Sequence, residues 1–461
     1  MPAKTNDRIL PLRVKIGYPL SGVGSTLQML IQMYFLLTFY VSFLGISGTA
    51  AGLIIMIARI WDFINDPIMG MIVEKVRKPE KCLFIMRCAL VPIAIFMVLV
   101  FCAPNLSYNM KIVWALVTFV CFGMSQTAYS ISSYTLQPRL TSNKVERSKL
   151  NVFSQVFSVI LNALVPAVTM PLVSWLAGYG QTTAFAKVAA IYAVVYIITG
   201  LAGTFMCRGY DNDVEEDAAG QKGKSPGFGE MMKALVENKA ALSILLIQVI
   251  KMLFSSIAGS VMLYFCTYNL GNANAMSLAS SIGTFGGLLP MLFLVPLYKK
   301  VGNSGTGLLG CIIAIGTYLV MLISGVPSVT FYVVCYVIGS IGTTLVSAVM
   351  TQNLMDSIDY GEWKTGHKNT GVIMSAFGIG TKIGLAFGSS IAGFVLGALH
   401  FDPNAATQPA SVLSAFFHIS ITGQMFVFVA IFLLLLVIRR IEKRLPQMRQ
   451  EVLERKAAAQ A

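Results

Sequence analysis

The segment Ala58-Arg59-Ile60-Trp61-Asp62-Phe63-Ile64-Asn65-Asp66-Pro67 lies within an apolar stretch that reaches from about residue 48 to residue 73. On a helix, Arg59, Asp62 and Asp66 share one face because they lie three and four residues apart. A charge at membrane depth costs about 2.5 kcal/mol or more, so such residues face a bundle interior and mark an ion or substrate path. A purely structural Arg59–Asp62 pair is the alternative, but it leaves the costly buried carboxylate of Asp66 unexplained.

The composition predicts an integral, all-α membrane protein. The 461 residues are 56% hydrophobic and only 12% charged, with a mean hydropathy of +0.73. Windowed hydropathy predicts twelve transmembrane helices. They lie near residues 16–44, 48–75, 82–103, 110–137, 150–177, 184–207, 241–269, 276–298, 305–324, 328–353, 370–399 and 411–438.

The basic residues predict the orientation. Most of the 34 lysines and arginines lie in the N-terminus, in alternate loops and in the C-terminal tail, whereas the intervening loops carry none. The loops without lysine or arginine are 45–48, 104–109, 178–183, 270–275, 325–329 and 400–410. By the positive-inside rule both termini are cytoplasmic and the number of spans is even. The net charge of +14 therefore indicates membrane topology and no nucleic-acid partner.

The sequence gives no indication of an enzyme or of a bound cofactor. The eight cysteines are scattered, without CxxC or metal-ligand spacing, and no disulfide framework is expected. His367, His400 and His418 are isolated, and neither a nucleophile–base pair nor a phosphate-binding loop is recognisable. No cleavable signal peptide is expected, because the first apolar segment is too long for one.

A hydrophilic stretch divides the chain into two halves of similar size. Residues 208–240 are rich in charge, glycine and proline, which predicts a cytoplasmic linker. The predicted organisation is a cytoplasmic N-terminus (1–15), a six-helix half (16–207), the central loop (208–240), a second six-helix half (241–438) and a cytoplasmic tail (439–461). The halves resemble a degenerate duplication.

Polar side chains recur inside the predicted spans of the first half. They are Ser25, Thr26, Gln28 and Gln32 in the first span, Thr127, Ser130 and Tyr134 in the fourth, and Ser154 and Gln155 in the fifth. Such residues either line a wet cavity or form hydrogen bonds between helices. The sequence leaves both interpretations open.

The second half adds two lysines and a charged segment. Lys251 lies mid-span, where it either snorkels, pairs structurally or binds substrate. Lys382 lies in the eleventh span among glycines and needs an anionic partner, for which Asp62 and Asp66 are the leading candidates. Residues 356–368 predict a charged cytoplasmic loop that is either solvated or interlocked with loops of the first half.

Two motifs together resemble the glycoside–pentoside–hexuronide:cation symporters. They are Arg59-Ile-Trp-Asp62-x-x-Asn65-Asp66-Pro67-x-Met-Gly70 and the downstream Asp359-Tyr-Gly-Glu-Trp-Lys-Thr-Gly366, followed by Lys382. The resemblance implies the major facilitator fold, with two six-helix pseudo-repeats around a central cavity. It also implies alternating access in the bacterial inner membrane. We expect the carrier to function as a monomer.

The resemblance implies a cation site and a changed sugar site. Its cation-binding positions are Asp62, Asp66, Asn65 and Thr127, with Lys382 and Arg59 serving coupling and charge balance. The family's sugar-binding positions are occupied here by Thr26, Ser130, Tyr134, Gln155 and Ser347. Together with Lys251, which favours an anionic sugar such as a hexuronide, these residues form the predicted substrate-binding set.

Charge counting predicts how a cation would be coupled. Arg59 with two ionised carboxylates leaves one net negative charge, which one Na⁺ or one H⁺ would cancel. Asn65 and Thr127 favour Na⁺ held by Asp62 and Asp66, but a carboxylate pair can also carry a proton. The predicted function is therefore symport of a sugar, glycoside or sugar acid with Na⁺ or H⁺. A carrier of lysolipids or other amphiphiles, and a sensor that binds without transporting, are the alternatives.

Overall fold

The computed structural model describes residues 9–141, 143–178, 181–211, 238–366, 370–403, 405 and 407–458, and within them every regular element is helical. Most of the predicted central loop, and the first eight residues of the N-terminus, lie outside the described residues. The helices are α1 (Leu12–Ile31), α2 (Gly48–Lys75), α3 (Lys81–Val100), α4 (Tyr108–Leu140), α5 (Lys144–Ala177), α6 (Gln181–Met206), α7 (Lys239–Tyr264), α8 (Asn274–Leu288), α9 (Leu294–Ser324), α10 (Val329–Thr365), α11 (Thr370–Ala398), α12 (Ala410–Phe417), α13 (Gln424–Glu442) and α14 (Leu445–Ala458).

These helices confirm the all-α membrane fold. Among the described residues, ten helical segments are long and apolar enough to cross a membrane. The two remaining predicted spans correspond to α1, which carries many polar residues, and to α8, which has only 15 residues and continues as the 3₁₀ segment Leu289–Phe293. The twelfth predicted span corresponds to α12 and α13, joined by the π-helical segment His418–Gly423.

Local sequence explains where several helices begin. Ser47 precedes α2 and its side chain accepts a hydrogen bond from the backbone N–H of Ala50. Ser328 caps α10 in the same way by accepting from the N–H of Phe331. These caps satisfy backbone donors that lack a partner within the helix.

Two π-helical segments extend α1. Gln32–Leu36 and Phe39–Phe43 follow its last α-helical turn, so the continuous helical segment ends close to the predicted end of the first span. A π turn changes the register of the residues that follow it and is frequent at functional sites. Gln32 is the first residue of the first π turn.

The described chain falls into two compact units. Unit 1 comprises Met1–Lys222 and Ser389–Gln408, and unit 2 comprises Gly223–Gly388 and Pro409–Ala461. The end of α11 belongs to unit 1 because it packs closely on α2. A Cβ atom on Gly52 would lie 2.7 Å from the carbonyl oxygen of Ser390, so the two backbones touch without intervening side chains.

Unit 2 has a contiguous apolar core and a break in α9. Its core includes Ile244, Val346 and Ile431, all fully buried. Within α9, Gly302 has a φ of 78°, a conformation that only glycine adopts without strain, and the helix axis kinks there. The part of α9 that follows this glycine begins close to residue 305, the predicted start of the ninth span.

The predicted loop at residues 356–368 is wrong as far as it is described, because α10 continues as a helix to Thr365. Its charged side chains pair with α14. Arg449 contacts Asp356 at 3.0 Å and Asp359 at 2.7 Å, and the indole N–H of Trp363 donates to Glu451 at 2.7 Å. The mixed charges and the tryptophan, which favoured an interlock with loops of the first half over a solvated loop, have described partners on α14 of unit 2.

Glu146 joins three parts of unit 1. It lies in the first turn of α5, ahead of the predicted span, and is buried. Its carboxylate accepts hydrogen bonds from Lys149 at 2.7 Å, from Lys15 at 2.8 Å and from the backbone N–H of Leu10 at 3.1 Å. The hydrogen bonds from the two lysines, with that of Lys149 the larger cause, lower the pKa of Glu146 from 4.5 to about 2.

Candidate functional site

The charged face of α2 forms as its sequence spacing predicts. A guanidinium nitrogen of Arg59, Nη1, lies 3.3 Å from Oδ2 of Asp62 one turn further along the helix. Both side chains are partly buried, so water does not fully screen the pair. The Arg59 guanidinium also lies over the ring of Phe119 on α4, 5.4 Å from its centroid. Arg59 is therefore held between two helices of unit 1.

Gln32 is the second polar partner of Arg59. Nη2 of Arg59 donates a hydrogen bond of 2.8 Å to Oε1 of Gln32. The sequence marks Gln32 as a polar residue of the first span but gives it no role. The signal in the sequence that could have identified it is an amide within an apolar segment, because Arg59 on the next helix needs hydrogen-bond acceptors.

Helix α4 faces the two carboxylates with matching spacing. The Thr127 hydroxyl donates to Oδ1 of Asp66 at 3.1 Å. One turn earlier, Gly123 lies against Asp62 so closely that a Cβ atom at position 123 would overlap the carboxylate. The four-residue spacing of Asp62 and Asp66 on α2 is thus matched by that of Gly123 and Thr127 on α4.

Asn65 lies between the two carboxylates in sequence and is only 3% exposed. Within the described part of the chain, its Nδ2 atom has no hydrogen-bond partner. A buried amide that lacks a bond is costly, and it indicates a ligand, a water or a second conformation. The carboxylate, amide and hydroxyl oxygens of this α2–α4 cluster are hard donors of the kind that a small cation prefers.

Two of the predicted substrate-binding residues of unit 1 lie near a polar network centred on Gln126. Nε2 of Gln126 donates to the hydroxyls of Ser25 at 3.0 Å and Ser130 at 3.2 Å, and its Oε1 accepts from Tyr196 at 3.0 Å. Thr26, next to Ser25, donates to a carbonyl of its own helix at 3.3 Å. Gln126 is adjacent to Thr127 in sequence but is absent from the predicted site.

Tyr134 and Gln155 are not drawn into that network. Tyr134 is 76% exposed, and Gln155 is also exposed on α5. Both side chains are accessible, yet no hydrogen bond of either is described. Their proposed contact with substrate stays a prediction.

Unit 2 brings Lys251 and Ser347 together. Nζ of Lys251 on α7 donates to the Ser347 hydroxyl on α10 at 2.6 Å, and that hydroxyl donates to the carbonyl oxygen of Thr343 at 2.8 Å. One turn earlier on α7, the amide of Gln248 donates to Thr381 on α11 at 2.9 Å. The described partner of Lys251 is a neutral hydroxyl, so its charge is not compensated by that contact.

Lys382 follows Thr381 on α11, and its side chain is exposed. It belongs to unit 2, whereas Asp62 and Asp66 belong to unit 1. The predicted pairing of Lys382 with these carboxylates stays a prediction.

The chain matches one protein family over almost its whole length. Residues 17–442 match the family described as MFS/sugar transport protein. An isoprimeverose transporter from Lactiplantibacillus pentosus is 29% identical over 420 residues, which cover 89% of this chain and 85% of the relative. A glucuronide carrier protein homolog from Escherichia coli K12 is 25% identical, covering 88% of this chain and 87% of the relative.

Solved structures share the architecture. A bacterial homologue of the human drug peptide transporters superposes with a TM-score of 0.64 at 13% sequence identity, covering 94% of this chain and 98% of the other. At this identity the likeness shows the fold alone. The predicted major facilitator fold is confirmed.

Proposed function

This chain belongs to the MFS/sugar transport family, and from that premise we propose that it is a cation-coupled symporter of a sugar-type solute. Family membership confirms that the protein is a multi-pass membrane sugar transporter and not an enzyme. It also bears out the resemblance to the glycoside–pentoside–hexuronide:cation symporters. The coupling ion, Na⁺ or H⁺, and the class of solute form the proposal.

The observation that carries the proposal is the hydrogen bond from Thr127 to Asp66 beside the Arg59–Asp62 pair. Two carboxylates and one guanidinium bear one net negative charge. One monovalent cation held by Asp62, Asp66, Asn65 and Thr127 would neutralise this face of α2. Coupling requires that the ion bind one state of the carrier more tightly than the other, and we propose that the neutralised face of α2 is stable in only one of these states.

The coupling energy is sufficient for uphill uptake. Moving one charge across the membrane potential is worth about 2.3 kcal/mol per 100 mV. Since about 1.4 kcal/mol corresponds to a factor of ten, each 100 mV supports a solute gradient of roughly 50-fold. Linkage then demands that ion and solute each raise the affinity for the other.

The polar groups of each unit support a hydroxylated solute with an acidic group. In unit 1, the Gln126 network offers amide and hydroxyl groups suited to sugar hydroxyls. In unit 2, Lys251 offers a cation whose described partner is the neutral Ser347. A carboxylate, as in a hexuronide, would compensate that charge. The similarity to a glucuronide carrier homolog supports the same solute class.

The distribution of basic residues supports the proposed membrane orientation. We propose that the protein lies in the inner membrane of a bacterium with both termini in the cytoplasm, and that it works as a monomer by alternating access. The ion pairs of Arg449 on α14 with Asp356 and Asp359 on α10 would then lie on the cytoplasmic side.

A transport assay in proteoliposomes tests the proposal. We expect uptake of a radiolabelled glucuronide to be driven by an inward Na⁺ gradient, or by an inward H⁺ gradient in choline buffer. Full uptake activity in Na⁺-free buffer with equal pH on both sides of the membrane would contradict the proposed cation coupling. Solute counterflow, which needs no gradient, distinguishes a carrier from a sensor that only binds.

A further inference from the structure

We propose that Gln32 is a positioning residue that sets the affinity of the cation site by sharing the Arg59 guanidinium with Asp62. Arg59 donates from Nη2 to Gln32 at 2.8 Å and from Nη1 to Asp62 at 3.3 Å. The contact to the neutral amide is the shorter of the two. Because the cation site is itself proposed, this inference rests on the proposed function.

The geometry makes Gln32 and Asp62 competitors for one cation. A guanidinium presents its N–H donors in a rigid fork, so a shift toward one acceptor lengthens the contact to the other. Gln32 is 6% exposed, and in such a site a hydrogen bond to a charged group is stronger than a neutral one. While Gln32 holds Arg59, Asp62 keeps more of its negative charge available to an incoming ion.

Gln32 lies where α1 passes into a π-helical segment. Gln32 begins the π-helical segment that ends with Leu36, directly after the last α-helical residue Ile31. The backbone N–H of Gln32 still bonds the carbonyl oxygen of Gln28, so Gln32 keeps the direction of the α-helix that precedes it. Its amide oxygen meets the Arg59 guanidinium of α2 inside unit 1, at a sequence separation of 27 residues.

Two substitutions of Gln32 should move the ion affinity in opposite directions. In Gln32→Leu the acceptor is lost, so Arg59 moves closer to Asp62. The half-saturating ion concentration should then rise about tenfold, a loss of about 1.4 kcal/mol of ion-binding free energy. In Gln32→Glu a carboxylate takes Arg59, Asp62 is released, and the half-saturating concentration falls by about the same factor. Gln32→Asn, whose amide is one methylene shorter, should behave like Gln32→Leu.

Gln28 provides the matched control. It lies one turn earlier on α1, is equally buried at 6%, and pairs with no charged group in the part of the chain that the structure describes. Gln28→Glu adds the same charge to the same helix without meeting Arg59. If Gln28→Glu shifted the ion affinity as much as Gln32→Glu, a general electrostatic effect would replace the positioning role.

The measurement uses the purified full-length protein and needs no solute. Thermal unfolding is followed while Na⁺ replaces choline at constant ionic strength, and in a second series while the pH is varied without Na⁺. The wild-type protein must show a saturable ion effect in one series, and its absence would contradict the proposed function. If the wild-type effect is present, equal or same-direction shifts in Gln32→Leu and Gln32→Glu would overturn the inference about Gln32 alone.

Discussion

The Thr127 hydroxyl donates a 3.1 Å hydrogen bond to the Asp66 carboxylate and so joins α4 to the charged face of α2. Asp66 is the carboxylate that a simple Arg59–Asp62 pair leaves unexplained. Its contact with a neutral hydroxyl retains the negative charge while fixing the position of one oxygen. The same hydroxyl could turn its oxygen toward a cation, because a hydroxyl both donates and accepts.

Thr127→Ala should weaken ion binding without unfolding the protein. Loss of one neutral ligand and of one hydrogen bond to a carboxylate costs about 1.5 kcal/mol or more, which corresponds to about a tenfold lower ion affinity. The measurement is the Na⁺ or H⁺ concentration that gives half-maximal uptake. Thr135→Ala on the same helix is the control, since among the described residues the hydroxyl of Thr135 bonds a carbonyl of its own helix, at 2.8 Å, and no other group. Equal effects of the two variants would contradict a role for Thr127 in the site.

Gly123→Ala should displace Asp62 and reduce cation-driven uptake by at least about tenfold. The added Cβ atom would overlap the carboxylate, so either Asp62 or α4 must move. Solute counterflow at saturating cation should be reduced less than uphill uptake. Gly70→Ala on α2 serves as the control because no atom of the described segments lies within 4 Å of the position that its Cβ atom would occupy. Normal cation coupling in Gly123→Ala would show that Asp62 does not need this contact.

Lys251→Gln should remove transport of uronides while neutral glycosides still compete for uptake. The substitution retains a donor for Ser347 but deletes the positive charge that would compensate a substrate carboxylate. The measurement is how strongly an unlabelled glucuronide, compared with the corresponding uncharged glucoside, inhibits the uptake of a labelled solute into the same vesicles. Unchanged uronide uptake would exclude Lys251 as the anion-binding residue.

Protonation of Glu146 should make unit 1 less stable at acid pH. Its folded-state pKa of about 2 lies below the ordinary value of 4.5, so its stabilising contribution is complete above pH 4.5 and is lost as the pH falls toward 2. Glu146→Gln should lower the thermal unfolding temperature at pH 7 and flatten its dependence on pH below 4.5. Glu454→Gln, an exposed carboxylate on α14, controls for the loss of one charge. An identical pH dependence of Glu146→Gln and the wild-type protein would contradict this role.

Much of the fold and the core of the candidate site could be predicted from the sequence. Charged residues at membrane depth are so costly that their spacing on α2 predicts a face turned toward the bundle interior, whereas the place of Thr127 beside it came from the family resemblance. Gln32 and Gln126 were missed because an amide within a span bonds either its own helix or a neighbouring one, and the sequence does not distinguish these. The choice between these two bonds depends on how the helices pack, which the sequence does not show.

The charged end of α10 was mispredicted for a related reason. Asp356, Asp359 and Glu362 lie together in a polar segment, which is typical of a solvated loop. The α14 partners of Asp356, Asp359 and Trp363 are more than 80 residues away in the chain, and only the tertiary structure brings them together. A helix can extend beyond the apolar span when a second helix supplies the opposite charges.

The central claim is that the carboxylates of α2 couple an ion to solute uptake, and replacing them tests it most directly. Asp62→Cys and Asp66→Cys, reconstituted in proteoliposomes with an inward cation gradient, should each lose uphill accumulation of solute. The Thr135→Ala variant reconstituted in parallel should accumulate solute normally. An accumulated gradient equal to that of the wild-type protein in either aspartate variant would contradict the account.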